Sequence, residues 1–104
     1  MVFILKKSAQ ELTAEQIRLI FNAANDCYKF RLDSKEMERA IDYLTREGIS
    51  LLKRRILIDY RPWMGAKFFI EPSGEETRIW AYSSDKPQKR ESSKFNNILE
   101  QIFS

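Results

Sequence analysis

A chain of 104 residues is long enough for one small hydrophobic core and too short for two, so residues 1–104 are expected to form a single domain. It contains no histidine and one cysteine, which excludes a cysteine–histidine nucleophile and the usual zinc sites. The net charge of +3 is a mild bias, and all of it belongs to residues 49–104, which carry ten Lys/Arg against seven Asp/Glu.

The chain begins with an apolar run, residues 2–5, that predicts a short strand at a sheet edge or over the core. Only five apolar residues precede Lys6 and Lys7, too few for a signal peptide or a membrane span. The lone cysteine, Cys27, cannot form an internal disulfide, which favours a reducing compartment. We therefore expect a cytoplasmic protein that has no membrane partner.

Two helices are predicted next, and both begin with the same capping pattern. Thr13 precedes Gln16 by three positions and Asp33 precedes Glu36 by three, which is the spacing of a capping box. Apolar residues then recur at helical spacing, which indicates that each helix packs one side against the core. The first stripe is Ile17, Ile20, Phe21, Ala24 and Tyr28, and the second is Met37, Ala40, Ile41 and Leu44. Gly48 is expected to end the second helix in the left-handed conformation.

Three strands are predicted within residues 51–82, because polar and apolar residues alternate there. The first is expected over residues 51–61, and turns at residues 61–65 and 72–74 separate it from the next two. A last helix carries the stripe Phe95, Ile98, Leu99, Ile102 and Phe103. The order β-α-α-β-β-β-α predicts an α+β fold, a two-layer sandwich with a three- to four-stranded, mainly antiparallel sheet and helices packed on one face.

The alternation divides the predicted sheet into an aliphatic face and a face of basic and aromatic residues. The aliphatic set, expected beneath the helices, is Ile56, Ile58, Tyr60, Phe68, Ile70, Ile79 and Ala81. The opposite set, expected in solvent, is Arg55, Leu57, Asp59, Arg61, Lys67, Phe69, Arg78, Trp80 and Tyr82. Exposed aromatic rings stack on unpaired bases or anchor a protein partner, and neighbouring cations neutralise phosphates. The alternative is that Phe69, Trp80 and Tyr82 close a second small core.

Two further segments are candidates for binding. Residues 86–90 carry three basic side chains, and Lys94 follows in the last helix, where a phosphate backbone can settle near a helix N-terminus; a solvated connector is the alternative. Trp63 and Met64 stand at a predicted loop tip, where they either anchor a partner or a second copy or fold back onto the body. The candidate binding residues are therefore Arg55, Arg61, Trp63, Lys67, Phe69, Arg78, Trp80, Tyr82, Lys86, Lys89, Arg90 and Lys94.

Two nucleic-acid-binding folds share part of this element order. A helix over residues 34–47 and a hairpin over 50–70 have the outline of a winged helix, but the helix carries four acidic residues that repel phosphates. The order α-β-β-β-α over residues 34–103 resembles the double-stranded-RNA-binding domain in element order alone, because the last helix lacks the lysine-rich start of that family.

No cofactor and no catalytic residue are predicted, since the chain lacks histidine and a glycine-rich phosphate loop. We expect a small non-enzymatic regulator or inhibitor that docks on a protein or nucleoprotein complex, such as a phage- or plasmid-encoded modulator or an accessory subunit. The alternative is direct RNA or DNA binding through the basic and aromatic face. A remote alternative is a metal-dependent nuclease in which Asp59 and Glu71 hold Mg²⁺. The sequence leaves the oligomeric state open.

Overall fold

The elements follow the predicted order, with one extended helix in the middle of the chain. The structure, a computed structural model, describes residues 2–85 and 88–104, and of residues 88–92 it describes the backbone alone. In that part of the chain the strands are β1 (Phe3–Leu5), β2 (Ile58–Tyr60), β3 (Ala66–Ser73) and β4 (Glu76–Ser83). The helices are α1 (Ala14–Tyr28), α2 (Ser34–Tyr43), α3 (Ile49–Lys53) and α4 (Gln88–Ile102), with a 3₁₀ turn at Ala9–Glu11 and a π-helical segment at Leu44–Gly48.

The strands form one antiparallel sheet in the order β1-β4-β3-β2. β3 and β4 pair over their full length, from Ala66 opposite Ser83 to Ser73 opposite Glu76. β1 pairs with the outer side of β4 and is an edge strand, which is one of the two positions expected for it. The described helices pack on one side of this sheet. The predicted two-layer α+β sandwich is therefore confirmed.

Both predicted capping boxes are present. Thr13 Oγ1 accepts a hydrogen bond from the Gln16 amide at 3.1 Å, and Gln16 Oε1 accepts one from the Thr13 amide at 3.0 Å. Asp33 and Glu36 make the same reciprocal pair at 2.8 and 2.9 Å. Each box gives partners to two amide groups at a helix start. The starts of α1 and α2 are therefore fixed by local sequence.

Gly48 continues the second helix instead of ending it. Its φ of −61° and ψ of −45° are helical, so the predicted left-handed cap is wrong. A Cβ at this position would lie 2.9 Å from Cδ1 of Ile58, closer than carbon atoms pack in protein interiors. The site is therefore occupied by glycine because the Ile58 side chain approaches the helix closely there, and not because the chain turns.

The helix runs on through α3, and the strand predicted over residues 51–61 is wrong except at Ile58–Tyr60. Arg55 follows the helix at φ 62°, in the left-handed conformation that usually favours glycine. Ile56, predicted on the covered face, is 43% exposed because it lies between α3 and β2 and outside any strand. Leu57 is likewise exposed just before β2.

A two-residue loop, Gly74–Glu75, joins β3 to β4. Gly74 lies at φ 63°, a conformation that glycine adopts without the steric cost that other residues incur. The turn predicted at residues 72–74 is thus present at Gly74, but Pro72 lies inside β3, opposite Thr77. β2 pairs only with residues 68–70, so Pro72 occupies an edge position, where strands tolerate proline.

The covered face of the sheet packs on α1. Its fully buried side chains are Ile58, Phe68, Ile70, Ile79 and Ala81. The Phe21 ring of α1 meets Phe68 edge-on, with 5.0 Å between centroids, and also contacts Phe30 and Tyr60. The stripe predicted for α1 is buried in full.

The last helix docks on α1, as its apolar stripe predicts. Phe95 is buried and meets Tyr28 edge-on at 5.6 Å, and Leu99 is fully buried. Ile98, Ile102 and Phe103 are partly buried against the same core. Because α1 and α4 cover the aliphatic side of the sheet, its other side is left for contacts outside this core.

Candidate functional site

The uncovered side of the sheet carries the polar and aromatic half of the alternation. Lys67, Phe69 and Glu71 of β3 alternate with buried residues, and the register places Phe69 opposite Trp80 of β4. We call this surface the open face; its described side chains are Val2, Ile4, Asp59, Lys67, Phe69, Glu71, Arg78, Trp80 and Tyr82, and we include Arg61, which follows β2 and is ion-paired with Asp59. All of them retain some exposure, whereas a second closed core would bury the aromatic rings.

The aromatic rings of the open face lie against one another across β3 and β4. Trp80 stacks on Tyr82 at 6.1 Å between centroids and 20° between planes, and Phe69 meets Trp80 edge-on at 6.5 Å. Lys67 Nζ lies 5.3 Å from the Phe69 centroid and 6.0 Å from that of Trp80. Each such cation–π contact is worth about 0.5–1 kcal/mol at an exposed site. The rings and the ammonium group therefore contact one another in a single cluster.

A shallow depression of about 260 Å³ lies beside these rings. Its lining residues are Val2, Lys67, Phe69, Glu71, Arg78 and Trp80. β1 supplies one wall, because the pairing of Ile4 with Arg78 brings Val2 beside Trp80. Small-molecule pockets usually measure about 300–1,000 Å³ and enclose their ligand. The size and openness of this depression suit one side chain of a larger partner better than a cofactor.

The charged groups of the open face are paired, but loosely. Asp59 lies 3.7 Å from both Arg61 Nε and Lys67 Nζ, and Glu71 lies 3.8 Å from Arg78 Nη1. These distances exceed the hydrogen-bonding range. By contrast, Arg18 Nε on α1 donates to Glu15 at 3.0 Å. The open-face cations therefore keep N–H donors for another group, and the two that share Asp59 leave one positive charge uncompensated.

Trp63, a predicted binding residue, folds back onto the body of the protein. Its indole N–H donates to the carbonyl oxygen of Phe30 at 2.8 Å, and its ring packs against the core. Its neighbour Met64 is 95% exposed at the loop tip. Of the two residues, Trp63 therefore folds back and anchors the loop, whereas the Met64 side chain stays in solvent.

Two of the other predicted cations, Arg55 and Lys94, do not join the open face. Arg55 lies in the turn after α3, and Lys94 is exposed on α4, in the helical layer. Lys86 lies outside the described residues, as do the side chains of Lys89 and Arg90. Of the twelve predicted binding residues, the structure therefore brings together Lys67, Phe69, Arg78, Trp80 and Tyr82, with Arg61 at the end of β2.

Val2 and Ile4 belong to the open face, although they were not among the predicted site residues. They are 41% and 40% exposed, while Phe3 and Leu5 face the core side. Successive side chains of a strand point to opposite faces, which groups Val2 with Ile4, but residues 2–5 are all apolar and do not indicate which pair faces the core. Their position beside Trp80 and Arg78 could not be predicted, because the pairing of β1 with β4 joins residues more than 70 positions apart.

A larger depression of about 450 Å³ lies between the end of β1 and the end of α4. Lys6 and Lys7 stand at its rim, and Lys6 is ion-paired with Glu76. Its lining is mainly polar, with Phe103 as its one aromatic side chain, so we assign it no role.

Within the described residues, no group of three or more acidic, cysteine or histidine side chains is arranged to hold a metal ion. Asp59 and Glu71, the ligands considered for a nuclease, are each ion-paired with basic neighbours. Among the helices in the same part of the chain, none combines the length and apolar character needed to cross a membrane.

Comparison of this chain with protein-family models, with curated proteins and with solved structures finds no match.

Proposed function

We propose that this chain is a cytoplasmic, non-enzymatic binding protein that regulates or inhibits a larger assembly by docking its open face on a protein partner. The observation that carries the proposal is the arrangement of Phe69, Trp80 and Tyr82, which stay partly exposed in mutual contact beside a depression of about 260 Å³. Protein interfaces concentrate their binding energy in such central aromatic clusters surrounded by polar rims.

The charges of the open face favour a protein over a nucleic acid. Surfaces that hold single strands combine aromatic rings with cations that are free to meet phosphates. Here Asp59 and Glu71 lie among the cations and repel phosphates. The three cations Arg61, Lys67 and Arg78 therefore exceed the two carboxylates by one positive charge. One neutralised phosphate corresponds to a log–log salt slope of only about −0.7 on single strands. A protein surface of mixed charge meets this pattern without repulsion.

Direct binding of RNA or DNA is the second candidate. The observation that favours it is the stacked pair of Trp80 and Tyr82, with Lys67 over the neighbouring rings. Each base stacked on an aromatic side chain contributes about 1–3 kcal/mol. This candidate predicts a shift of short RNA or DNA in native gels that weakens as salt rises, and that is lost in Trp80→Ala.

The test is affinity capture from the native source with and without nuclease treatment, followed by identification of the captured protein and binding of the purified pair. The baits are the wild-type chain, Phe69→Ala and Trp80→Ala on the open face, and Leu19→Ala as a matched control on an exposed position of α1. We expect one partner that survives nuclease treatment, binds wild type and Leu19→Ala equally, and is lost from both open-face variants.

Three outcomes would contradict the proposed function. Capture that disappears with nuclease points to nucleic acid. A partner that binds Trp80→Ala as tightly as wild type docks elsewhere on the molecule. A partner that is lost equally from Leu19→Ala and from the open-face variants responds to general damage to the fold.

A further inference from the structure

We propose that the partner presents to the open face a segment in which a bulky apolar side chain enters the depression and an Asp or Glu carboxylate binds Lys67 and Arg61. This inference rests on the proposed function and names the chemistry of the partner at that same site. It follows from the apolar lining, the uneven distribution of charge and the position of the Lys67 ammonium group beside the aromatic rings.

The apolar anchor follows from the walls of the depression. Val2, Phe69 and Trp80 form three of its sides, and Val2 is 41% exposed. A side chain that covers these groups removes apolar surface from water on both molecules, at about 25 cal/mol per Å² buried. A depression of about 260 Å³ has room for one leucine, phenylalanine or tryptophan side chain.

The carboxylate follows from the uneven charge of the rim. On one side of the aromatic pair, Arg78 is balanced by Glu71. On the other side, Arg61 and Lys67 share the single carboxylate of Asp59, with both distances at 3.7 Å. A second carboxylate placed there would give two carboxylates for the two cations. It would also accept hydrogen bonds from the N–H groups that lie too far from Asp59. A basic group placed at the same point would meet two cations.

The ammonium group of Lys67 sets the distance between the anchor and the carboxylate. Its Nζ lies 5.3 Å from the Phe69 centroid and 6.0 Å from that of Trp80, the two rings that wall the depression. A carboxylate that binds this group therefore lies about 7 Å from the anchor, the distance that two residues of an extended segment span. In the partner, the acidic residue therefore lies two positions from the anchor if the segment is extended. It lies about four positions away if the segment is helical, since four residues rise about 6 Å.

A continuous phosphate backbone fits this rim less well than a single carboxylate does. Successive phosphates would cross the row that holds Glu71 as well as the row that holds Lys67. A protein segment with one acid and one apolar anchor meets only the cationic side. Nucleic acid is therefore one of the outcomes that the experiment must separate.

The test uses a display library of random peptides, selected in parallel on four purified proteins. These are wild type, the charge reversal Arg61→Glu/Lys67→Glu, the neutral variant Arg61→Gln/Lys67→Gln, and Lys94→Glu as a charge-reversal control on an exposed position of α4. Circular dichroism and the urea midpoint confirm that each is folded. The neutral variant keeps the comparison possible if the two acids added beside Asp59 prevent folding.

We expect wild type and Lys94→Glu to select peptides with a bulky apolar residue and an Asp or Glu two or four positions away. The charge reversal should select Lys or Arg at that position, and the neutral variant should lose the acidic preference. For an individual wild-type peptide, replacing its acid by the amide should raise Kd about tenfold, as should the neutral variant.

The outcomes separate the two proposals. Suppose that the selected peptides lose binding to Trp80→Ala but contain no preferred acidic residue, or that the charge reversal still selects peptides with an acidic residue. In either case the open face remains the docking surface and this inference is overturned. If they bind Trp80→Ala as tightly as wild type does, the proposed function fails as well. A library that yields no enriched peptide on wild type overturns the inference. The inference is also overturned if a fluorescent oligouridine probe binds wild type but does not bind the charge-reversal variant.

Discussion

The indole nitrogen of Trp63 donates a hydrogen bond to the carbonyl oxygen of Phe30 at 2.8 Å, and so ties the β2–β3 loop to the loop between α1 and α2. The residues on either side of Phe30 lie in the left-handed conformation, Lys29 at φ 55° and Arg31 at φ 58°. The carbonyl group therefore belongs to neither helix, and a side chain from a distant loop gives it a partner.

Trp63→Phe is expected to reduce the free energy of unfolding by about 1–3 kcal/mol, because it leaves the Phe30 carbonyl without its donor while keeping a ring in the core. Urea denaturation measures the change. The neighbouring Met64→Ala removes a side chain that is 95% exposed and should change stability by less than about 0.5 kcal/mol. Equal effects of the two substitutions would show that the hydrogen bond does not hold the loop.

Phe68 and Phe69 offer a matched test of the two faces, because they are adjacent in β3 and point to opposite sides. Phe68→Ala removes a fully buried ring and should cost about 3–5 kcal/mol of stability. Phe69→Ala removes a partly exposed ring with one edge-on contact and one cation–π contact, and should cost about 1–2 kcal/mol. Denaturant midpoints give both values. A cost at Phe69 as large as that at Phe68 would mean that the open face belongs to the folding core.

Gly48→Ala is expected to destabilise the protein by about 1 kcal/mol, although alanine is the better helix former. The gain in helix propensity is about 0.5–1 kcal/mol, and overpacking a core costs about 1–3 kcal/mol. The new methyl group would lie 2.9 Å from Cδ1 of Ile58, which is buried and has little room to move.

Ile58→Val removes that Cδ1 atom and provides the control. Alone it should cost about 0.5–1.5 kcal/mol. In the Ile58→Val background, Gly48→Ala should become neutral or stabilising, which a double-mutant cycle by urea denaturation detects. Strict additivity of the two substitutions would contradict the close approach as the reason for glycine.

Tyr60 makes stability depend on alkaline pH. Burial raises its pKa, with smaller contributions from the nearby charges of Glu36 and Tyr43. The folded protein therefore keeps the phenol neutral at a pH where the unfolded chain ionises and binds fewer protons. The free energy of unfolding consequently falls as pH rises through about 10.

Tyr60→Phe should flatten this decline. Urea midpoints at pH about 8 and pH about 11 give the slope for each protein, so that any effect of the substitution that does not depend on pH cancels. An identical decline in both proteins would show that burial of Tyr60 does not contribute to it.

The sequence predicts those parts of the fold that depend on local contacts. The Thr13 and Asp33 capping boxes place two helix starts correctly because the donors and acceptors lie three residues apart. The stretch 44–57 is misread because Gly48 resembles a helix stop, and only its contact with Ile58, ten residues later, explains the glycine. Buried Leu44, Gly48 and Leu52 recur every four residues, which is the helical signal that the prediction missed.

The site is predictable to the extent that one strand determines it. Alternation places Lys67 and Phe69 on one face, and Arg78, Trp80 and Tyr82 on the same face of the next strand. What alternation cannot supply is the pairing between strands, which brings Val2 beside Trp80 and lets Lys67 lie over two rings at once.

The division of β3 into inward and outward side chains has a consequence for how this molecule can change over time. Substitutions at Phe69 or Lys67 replace no inward-facing side chain, so under the proposed function the docking surface can diverge at less cost to the scaffold than changes at Phe68 or Ile70 would bring. A lineage carrying such a domain is able to follow a changing target by replacing a handful of outward positions, and a protein engineer can retarget it in the same way.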